Sequence, residues 1–189
     1  PYVYPYPQVD EVIPLMASGK LLPYLDVPFQ HASPRILRLM KRPANAENTL
    51  GRIRAWRAEC PDLTIRSTFI AGFPGETEAE FENTVQLIEE LPVSHLHVFP
   101  FSKRPGTAAA AMPGHLPGDV KKARAERLRV LGAAKLAAFS ARFVGRELEM
   151  VVEGGGKGGQ LKGLTRNYLE VRFAGPAELI GRCAMVRVV

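Results

Sequence analysis

The run Arg66-Ser67-Thr68-Phe69-Ile70-Ala71-Gly72-Phe73-Pro74-Gly75-Glu76 puts an arginine, two glycines, a proline and a carboxylate into a few turns of chain. The β-rich stretch ahead of Gly72 predicts a strand, and a helix opens at Thr77. Glycine has no Cβ, so the backbone at such a junction can approach a ligand closely, and a helix start offers N–H groups. An ordinary strand-to-helix turn has the same punctuation. Arg66 lies inside the predicted strand, where a cation needs an anionic ligand or a paired carboxylate. Glu76 can cap backbone N–H groups or accept hydrogen bonds from a ligand amine.

Three further groups carry possible chemistry. Gln30, His31 and Ser33 form a polar cluster that can hydrogen-bond a ribose or carboxylate, or cap the helix that Pro34 begins. His31 has no visible partner that would make it a general base. His95 and His97 share one face of a strand, but two histidines without a third ligand are a weak metal signature and fit packing better. Lys103-Arg104-Pro105-Gly106-Thr107 could meet phosphate or the acidic part of a substrate. Cys60 and Cys183 have no paired spacing, which fits reduced, structural thiols in a cytoplasmic protein and gives no iron–sulfur or zinc set.

The elements that must position these residues alternate. Val9 to Ala17 is a short helix and Leu21 to Val27 a strand. A helix runs from Pro34 to Arg42, and another follows Asn45-Ala46-Glu47 with Leu50, Ile53 and Trp56 on one face. Leu63 to Ile70 is a strand. Thr77 and Glu80 form a capping box ahead of the stripe Phe81, Val85, Ile88. His95 to Phe101 is a third strand. This order predicts an α/β fold with a parallel sheet and crossover helices. In such sheets the C-terminal strand edge carries the site, so Gln30 to Ser33, Gly72 to Glu76 and Ser102 to Thr107 are expected around one pocket. Ala108 to Gly118 reads as a loop. Asp119 is an expected N-cap for a long basic helix reaching about Phe143. The division expected is residues 1–142, with helix 119–142 as a linker, and a small all-β module over 143–189 containing a flexible turn at Gly154 to Gly159.

The 189 residues are 46% hydrophobic, enough for a substantial core, and no apolar run suits a membrane span. The N-terminal segment Pro1 to Pro7 reads as the continuation of a longer chain, not a signal peptide. The net charge of +6 is uneven. Residues 1–95 balance to −3, residues 96–142 to +7 and residues 143–189 to +2. The basic segment from Lys103 to Arg142 is a possible footprint for phosphate, or a solvated helix face.

Tyr24-Leu25-Asp26-Val27-Pro28-Phe29-Gln30-His31-Ala32-Ser33-Pro34-Arg35, continuing to Arg42, closely resembles the radical S-adenosylmethionine (SAM) methylthiotransferases. So does Arg66 to Thr77. Gly163 to Tyr168 and Gly175 to Gly181 look like marks of the TRAM domain that ends these enzymes. The resemblance implies the C-terminal half of a radical SAM β/α barrel followed by a TRAM barrel. It implies that Gln30, Ser33, Arg66, Gly72, Pro74, Gly75 and Glu76 face SAM, and that Phe99 to Phe101 border its adenine. Lys103, Arg104, Arg166 and Asn167 would contact substrate. The family uses two [4Fe-4S] clusters, whose cysteines are absent from these residues and would belong to an N-terminal half of the same enzyme. A SAM-derived radical then activates a C–H bond that receives a methylthio group. Residues 2 to 82 look most like the branch acting on an aspartate of ribosomal protein S12. Residues 95 to 189 look more like the branches acting on adenosine 37 of tRNA. The basic segment favours a tRNA anticodon stem-loop as partner, with S12 as the alternative. A reading of another class is a non-catalytic RNA-binding module.

Overall fold

The computed structural model describes residues 3, 7–42, 49–155 and 160–189. Asn45 to Glu47, the expected helix start, and Gly156 to Gly159 lie outside the described residues, as does most of Pro1 to Pro7. A 3-10 segment, Pro7–Val12, leads into α1, Ile13–Ala17. Then follow β1 (Tyr24–Asp26), α2 (Pro34–Leu39), α3 (Thr49–Glu59), β2 (Thr64–Ala71), α4 (Glu78–Glu90) and β3 (His95–Pro100). Strands β1, β2 and β3 pair in that order and all in parallel. Tyr24 stands opposite Thr64, and Asp26, Arg66 and His95 form one row across the sheet.

Alternation within the strands decides which face is covered. Leu25, Ile65, Phe69, Leu96 and Val98 are buried under Ile53 and Trp56 of α3 and Phe81, Val85 and Ile88 of α4. The long helix α6 (Gly118–Ala141) adds Ala125 and Leu128 to that core. Gly132 lets α6 lie directly on β3, since a Cβ there would come 2.9 Å from Leu96 Cβ. Among the described residues, the opposite face of the sheet, with Asp26, Arg66, Thr68, Ile70, His97 and Phe99, carries no helix layer and stays half-buried to exposed.

Two local expectations are corrected. Ala108 to Gly118 contains a short helix, α5 (Ala108–Ala111), because the Thr107 side chain accepts from the Ala110 N–H and caps it. Helix α6 starts one residue before Asp119, and Pro117 stands at the capping position with no side-chain bond. Asp119 lies in the first turn, where its charge complements the helix dipole.

The chain ends in β4 (Glu147–Gly155), β5 (Leu161–Thr165), β6 (Glu170–Phe173), a 3-10 turn at Ala177–Leu179, and β7 (Cys183–Arg187). These strands form an antiparallel sheet in the order β6-β5-β4-β7. A register shift between Val152 and Gly154 bends β4. Among the described residues β6 does not pair with β7, so the sheet stays open where a barrel is expected.

The β module docks on the N-terminal edge of the parallel sheet. Asn167 accepts from Thr64 Oγ1 through its carbonyl at 2.5 Å and donates from Nδ2 to the Asp62 carbonyl at 3.3 Å. Arg146 forks onto both Asp62 oxygens at 2.9 and 2.6 Å. Tyr24 and Tyr168 stack at 4.2 Å.

Candidate functional site

At the C-terminal edge of the sheet the turn Gly72–Glu76 has Gly72 and Gly75 both at φ 78°, a left-handed conformation that glycine adopts without strain. Every backbone N–H of the turn is already used inside the protein. The Gly72 and Phe73 N–H groups donate to Glu76 Oε2 at 2.9 and 3.3 Å. The Gly75 N–H donates to the Gly114 carbonyl at 2.8 Å, and the Glu76 N–H to the Phe73 carbonyl at 3.0 Å. At the following helix start, the Thr77 and Glu80 N–H groups are taken by the expected reciprocal capping box. The idea of a turn with N–H groups open to a ligand is therefore corrected. The turn is a rigid wall whose own carboxylate fills the role an anion would take.

Glu76 is buried, and its partners come from three elements. Oε1 accepts from Arg124 Nη1 of α6 at 2.6 Å, and Oε2 lies 3.2 Å from His31 Nε2. His31 Nδ1 accepts the Ser33 N–H at 2.9 Å, which leaves Nε2 to donate to Glu76. Burial pushes the Glu76 carboxyl up. The His31 and Arg124 contacts and the Gly72 N–H outweigh that and leave it below the usual carboxylate range. Around it lies a second bridge. Arg35 forks onto Glu80 at 2.7 and 2.5 Å and donates to the Gly75 carbonyl at 2.6 Å. Ser33 caps α2 and donates to Glu80 Oε1 at 2.8 Å. The Arg35 fork, against a smaller cost of burial, holds the Glu80 carboxyl well below its ordinary range.

Gln30 sits in the left-handed region at φ 67°, where a non-glycine residue marks a constrained backbone. Its carbonyl accepts from the Ile70 N–H at 2.9 Å, bridging it to β2. With Met40, Ile70, Phe73 and Met112 it lines a cavity of about 300 Å³. Pro74, within the turn, is buried. Phe101 meets Phe73 edge-to-face at 5.2 Å, while Phe99 is exposed and leans on His97 at 4.2 Å. Lys103 and Arg104 are exposed on the loop after β3.

Arg66 lies on the uncovered face and pairs with Asp26 at 3.4 Å and with His97. Among the described residues Asp26 Oδ1 and Arg66 Nε are buried without a hydrogen-bond partner. An acceptor beside a donor, both orphaned, suits the α-ammonium and α-carboxylate of an amino-acid ligand such as the methionyl end of SAM. Burial, then the Arg66 charge, pushes His95 and His97 below the ordinary imidazole range, so both are neutral at pH 7. The residues thus fit SAM. They do not fit an iron–sulfur cluster. Among the described residues no three His, Cys, Asp or Glu side chains could share a metal, and Cys60 is buried while Cys183 is exposed. Reconstituting the chain with iron and sulfide is expected to leave no stoichiometric cluster absorbance; a cluster bound one-to-one would overturn this ligand count.

The structure gathers Gln30, Ser33, Gly72, Pro74, Gly75, Glu76 and Phe101 at one edge, with Arg66 deeper on the open face. It does not bring Arg166 and Asn167 to them. Both stand at the other end of β2, eight residues and about 23 Å away along the strand. Asn167 is buried in the module junction, and Arg166 binds Glu149 at 3.2 Å and the Gly19 carbonyl at 3.0 Å. Arg124, Arg35 and Asp26 complete the site without a sequence signal of their own. Arg124 is 48 residues from Glu76, and only the fold joins them.

A profile described as the radical SAM superfamily matches residues 3–88. The ribosomal protein uS12 methylthiotransferase RimO of Nitrosomonas eutropha is 61% identical over 127 residues, 67% of this chain. The protein of the same name from Chromobacterium violaceum is 53% identical over 152 residues, 80% of this chain. The chain spans 28% and 35% of the length of these two relatives. Among solved structures, Escherichia coli coproporphyrinogen III oxidase (HemN), a radical SAM enzyme, superposes on 73% of this chain and 31% of its own with a TM-score of 0.52 at 19% identity, a likeness of fold. No helix among the described residues is long and apolar enough to cross a membrane. The parallel sheet with its glycine turn, the superfamily match and the close relatives together mean that the chain belongs to the radical SAM methylthiotransferase family.

Proposed function

We propose that this chain supplies the SAM-facing wall and the terminal β module of an enzyme that places a methylthio group on ribosomal protein uS12. The observation that carries this reading is the identity of 53–61% to relatives bearing that name. When bound, SAM supplies the methyl group and the radical chemistry of the family. The chain's own residues bind and orient it. Asp26 and Arg66 would hold its amino-acid end, Gln30, Ile70 and Phe73 would enclose its apolar parts, and the Glu76 network would keep the wall in shape. The clusters have no ligand set among the described residues, and no step is assigned to them.

The expected tRNA partner finds no support in these relatives, and part of the charge that would attract it is already paired within the protein. Part of the basic excess of α6 is paired within the protein. Arg124 holds Glu76 and Glu78, Arg127 pairs with Glu82, and Arg129 with Glu126. Lys135 donates to the Glu89 and Leu91 carbonyls, and Arg142 to the Pro61 carbonyl. Cations already paired with carboxylates release few counterions on meeting a phosphate backbone. Arg124 and Arg127 thus meet Glu76, Glu78 and Glu82 across the α4–α6 contact, while Lys103, Arg104, Lys121 and Lys122 have no ion pair among the described residues.

The test is competition. The chain is expected to bind uS12 about tenfold or more tightly than a tRNA anticodon stem-loop at moderate salt. Its RNA affinity should fall only gently with log salt concentration. Tighter binding to the stem-loop, with a steep salt slope, would overturn uS12 as the substrate.

A further inference from the structure

Helix α6 reaches the turn Gly72–Glu76 from outside the sheet. Arg124 Nη1 contacts Glu76 Oε1 at 2.6 Å and the Glu76 carbonyl at 3.2 Å, while Nη2 contacts Glu78 at 2.6 Å. One guanidinium thus spans both sides of the N-cap Thr77. A planar fork does this; a lysine ammonium can hold only one of the two carboxylates well. One turn earlier in α6, Lys121 packs on Gly72 so closely that a Cβ at 72 would lie 2.4 Å from Lys121 Cγ.

Glu76 in turn holds the Gly72 and Phe73 N–H groups through its other oxygen. Two glycines in the left-handed region leave the turn many conformations in the absence of such a hold. We propose that Arg124 is a positioning residue: acting through Glu76, it presets from α6 the shape in which the turn meets its cofactor. This rests on the reading of the turn as a SAM-facing wall. His31 is the second hold on the same carboxylate, and the Ser33 N–H on its Nδ1 orients the ring. Preorganisation of this kind raises affinity by removing the cost of ordering the turn on binding.

The test uses the full chain with Arg124→Met, Arg124→Lys and, as a control, Arg127→Met, which removes the exposed pair to Glu82 on the same helix. SAM affinity is measured by calorimetry, amide exchange of Gly72 and Phe73 by NMR in the absence of SAM, and stability by urea. Arg124→Met is expected to weaken SAM binding about tenfold or more and to accelerate exchange at both amides. Arg124→Lys should fall between, and it carries the test if Arg124→Met does not fold. Arg127→Met should leave affinity and both exchange rates unchanged. A loss of stability in the Arg124 variants with unchanged affinity or unchanged exchange would overturn the proposal. A wild-type chain that does not bind SAM, while Arg124→Met still opens the two amides, would instead overturn the cofactor reading of the turn and leave the clamp standing.

Discussion

Glu76→Ala is expected to cost the chain about 3–5 kcal/mol, the range for removing one partner of a buried ion pair. The deletion orphans more than Arg124. The His31 Nε2–H and the Gly72 and Phe73 N–H groups lose their acceptor together, and no solvent reaches the carboxylate's place to replace it. The measurement is urea unfolding, with a lower midpoint at an unchanged slope. Glu76→Gln keeps the shape and one acceptor, so it should cost less. Acid gives an independent check. A carboxylate whose folded pKa is depressed contributes stability that is complete above its unfolded value and lost as pH falls through the folded one. Glu76, Glu80 and Asp62 are all depressed, so wild-type stability should decline through the acid range. Glu76→Gln should decline less steeply, while Glu80 and Asp62 preserve the remaining slope. A cost below about 1 kcal/mol for Glu76→Ala would mean that the turn holds its shape without its carboxylate, and that Arg124 finds another partner once Glu76 is gone.

What sequence reading reaches, and what it misses, divides by the range of the interaction. Strand β2 stops at Gly72 because the apolar run and the glycine are neighbours in the chain. The Thr77–Glu80 capping box is legible because its bonds span three residues. Helix α5 escapes notice because it is four residues long among prolines and glycines, and only the Thr107 cap marks it. The Glu76 network is invisible for a different reason: His31, Glu76 and Arg124 are separated by 45 and 48 residues. The same limit misleads the charge count. A basic segment counted along the chain resembles a phosphate footprint until α6 packs on α4 and its arginines find Glu76, Glu78 and Glu82. Asn167 shows it again, since a motif position suggests substrate contact where the fold uses the side chain to bind Asp62.

The proposed cofactor wall and the β module thereby stand at two ends of one sheet. The wall occupies the C-terminal strand edge, and the β module is fixed to the N-terminal edge by Asn167 and Arg146. Helix α6, about 36 Å long by its 24 residues, connects the two, with Arg124 near one end and Arg142 at the other. Under the proposed function, a substrate held by the module would extend along the uncovered face, past His95 and His97, to reach the wall. Both histidines are neutral there, so that face carries little net charge beyond the Asp26–Arg66 pair.

Gly163→Ala tests the module on which this arrangement depends. Gly163 lies in the middle of β5, opposite Val152 and next to the register shift in β4. A Cβ at 163 would stand 2.0 Å from the Val151 carbonyl oxygen and 2.5 Å from Met150 Cε. Met150 could turn aside. The Val151 carbonyl cannot, because β4 is pinned between β5 on one side and β7 on the other. Relief then requires the β4–β5 ladder to part at its centre, which should cost about 3 kcal/mol or more, at or beyond the top of the usual overpacking range. The damage should be local. Amides of β4, β5 and β6 should lose exchange protection while those of β2 and α4 keep theirs, because the parallel sheet has its own core under α3, α4 and α6. If the module unfolds, Thr64 and Asp62 lose Asn167, yet the Glu76 network at the far edge stays intact, so SAM affinity should persist while uS12 affinity falls. Equal loss of protection in both units would instead make them one cooperative body, joined through α6 more tightly than the junction contacts alone require.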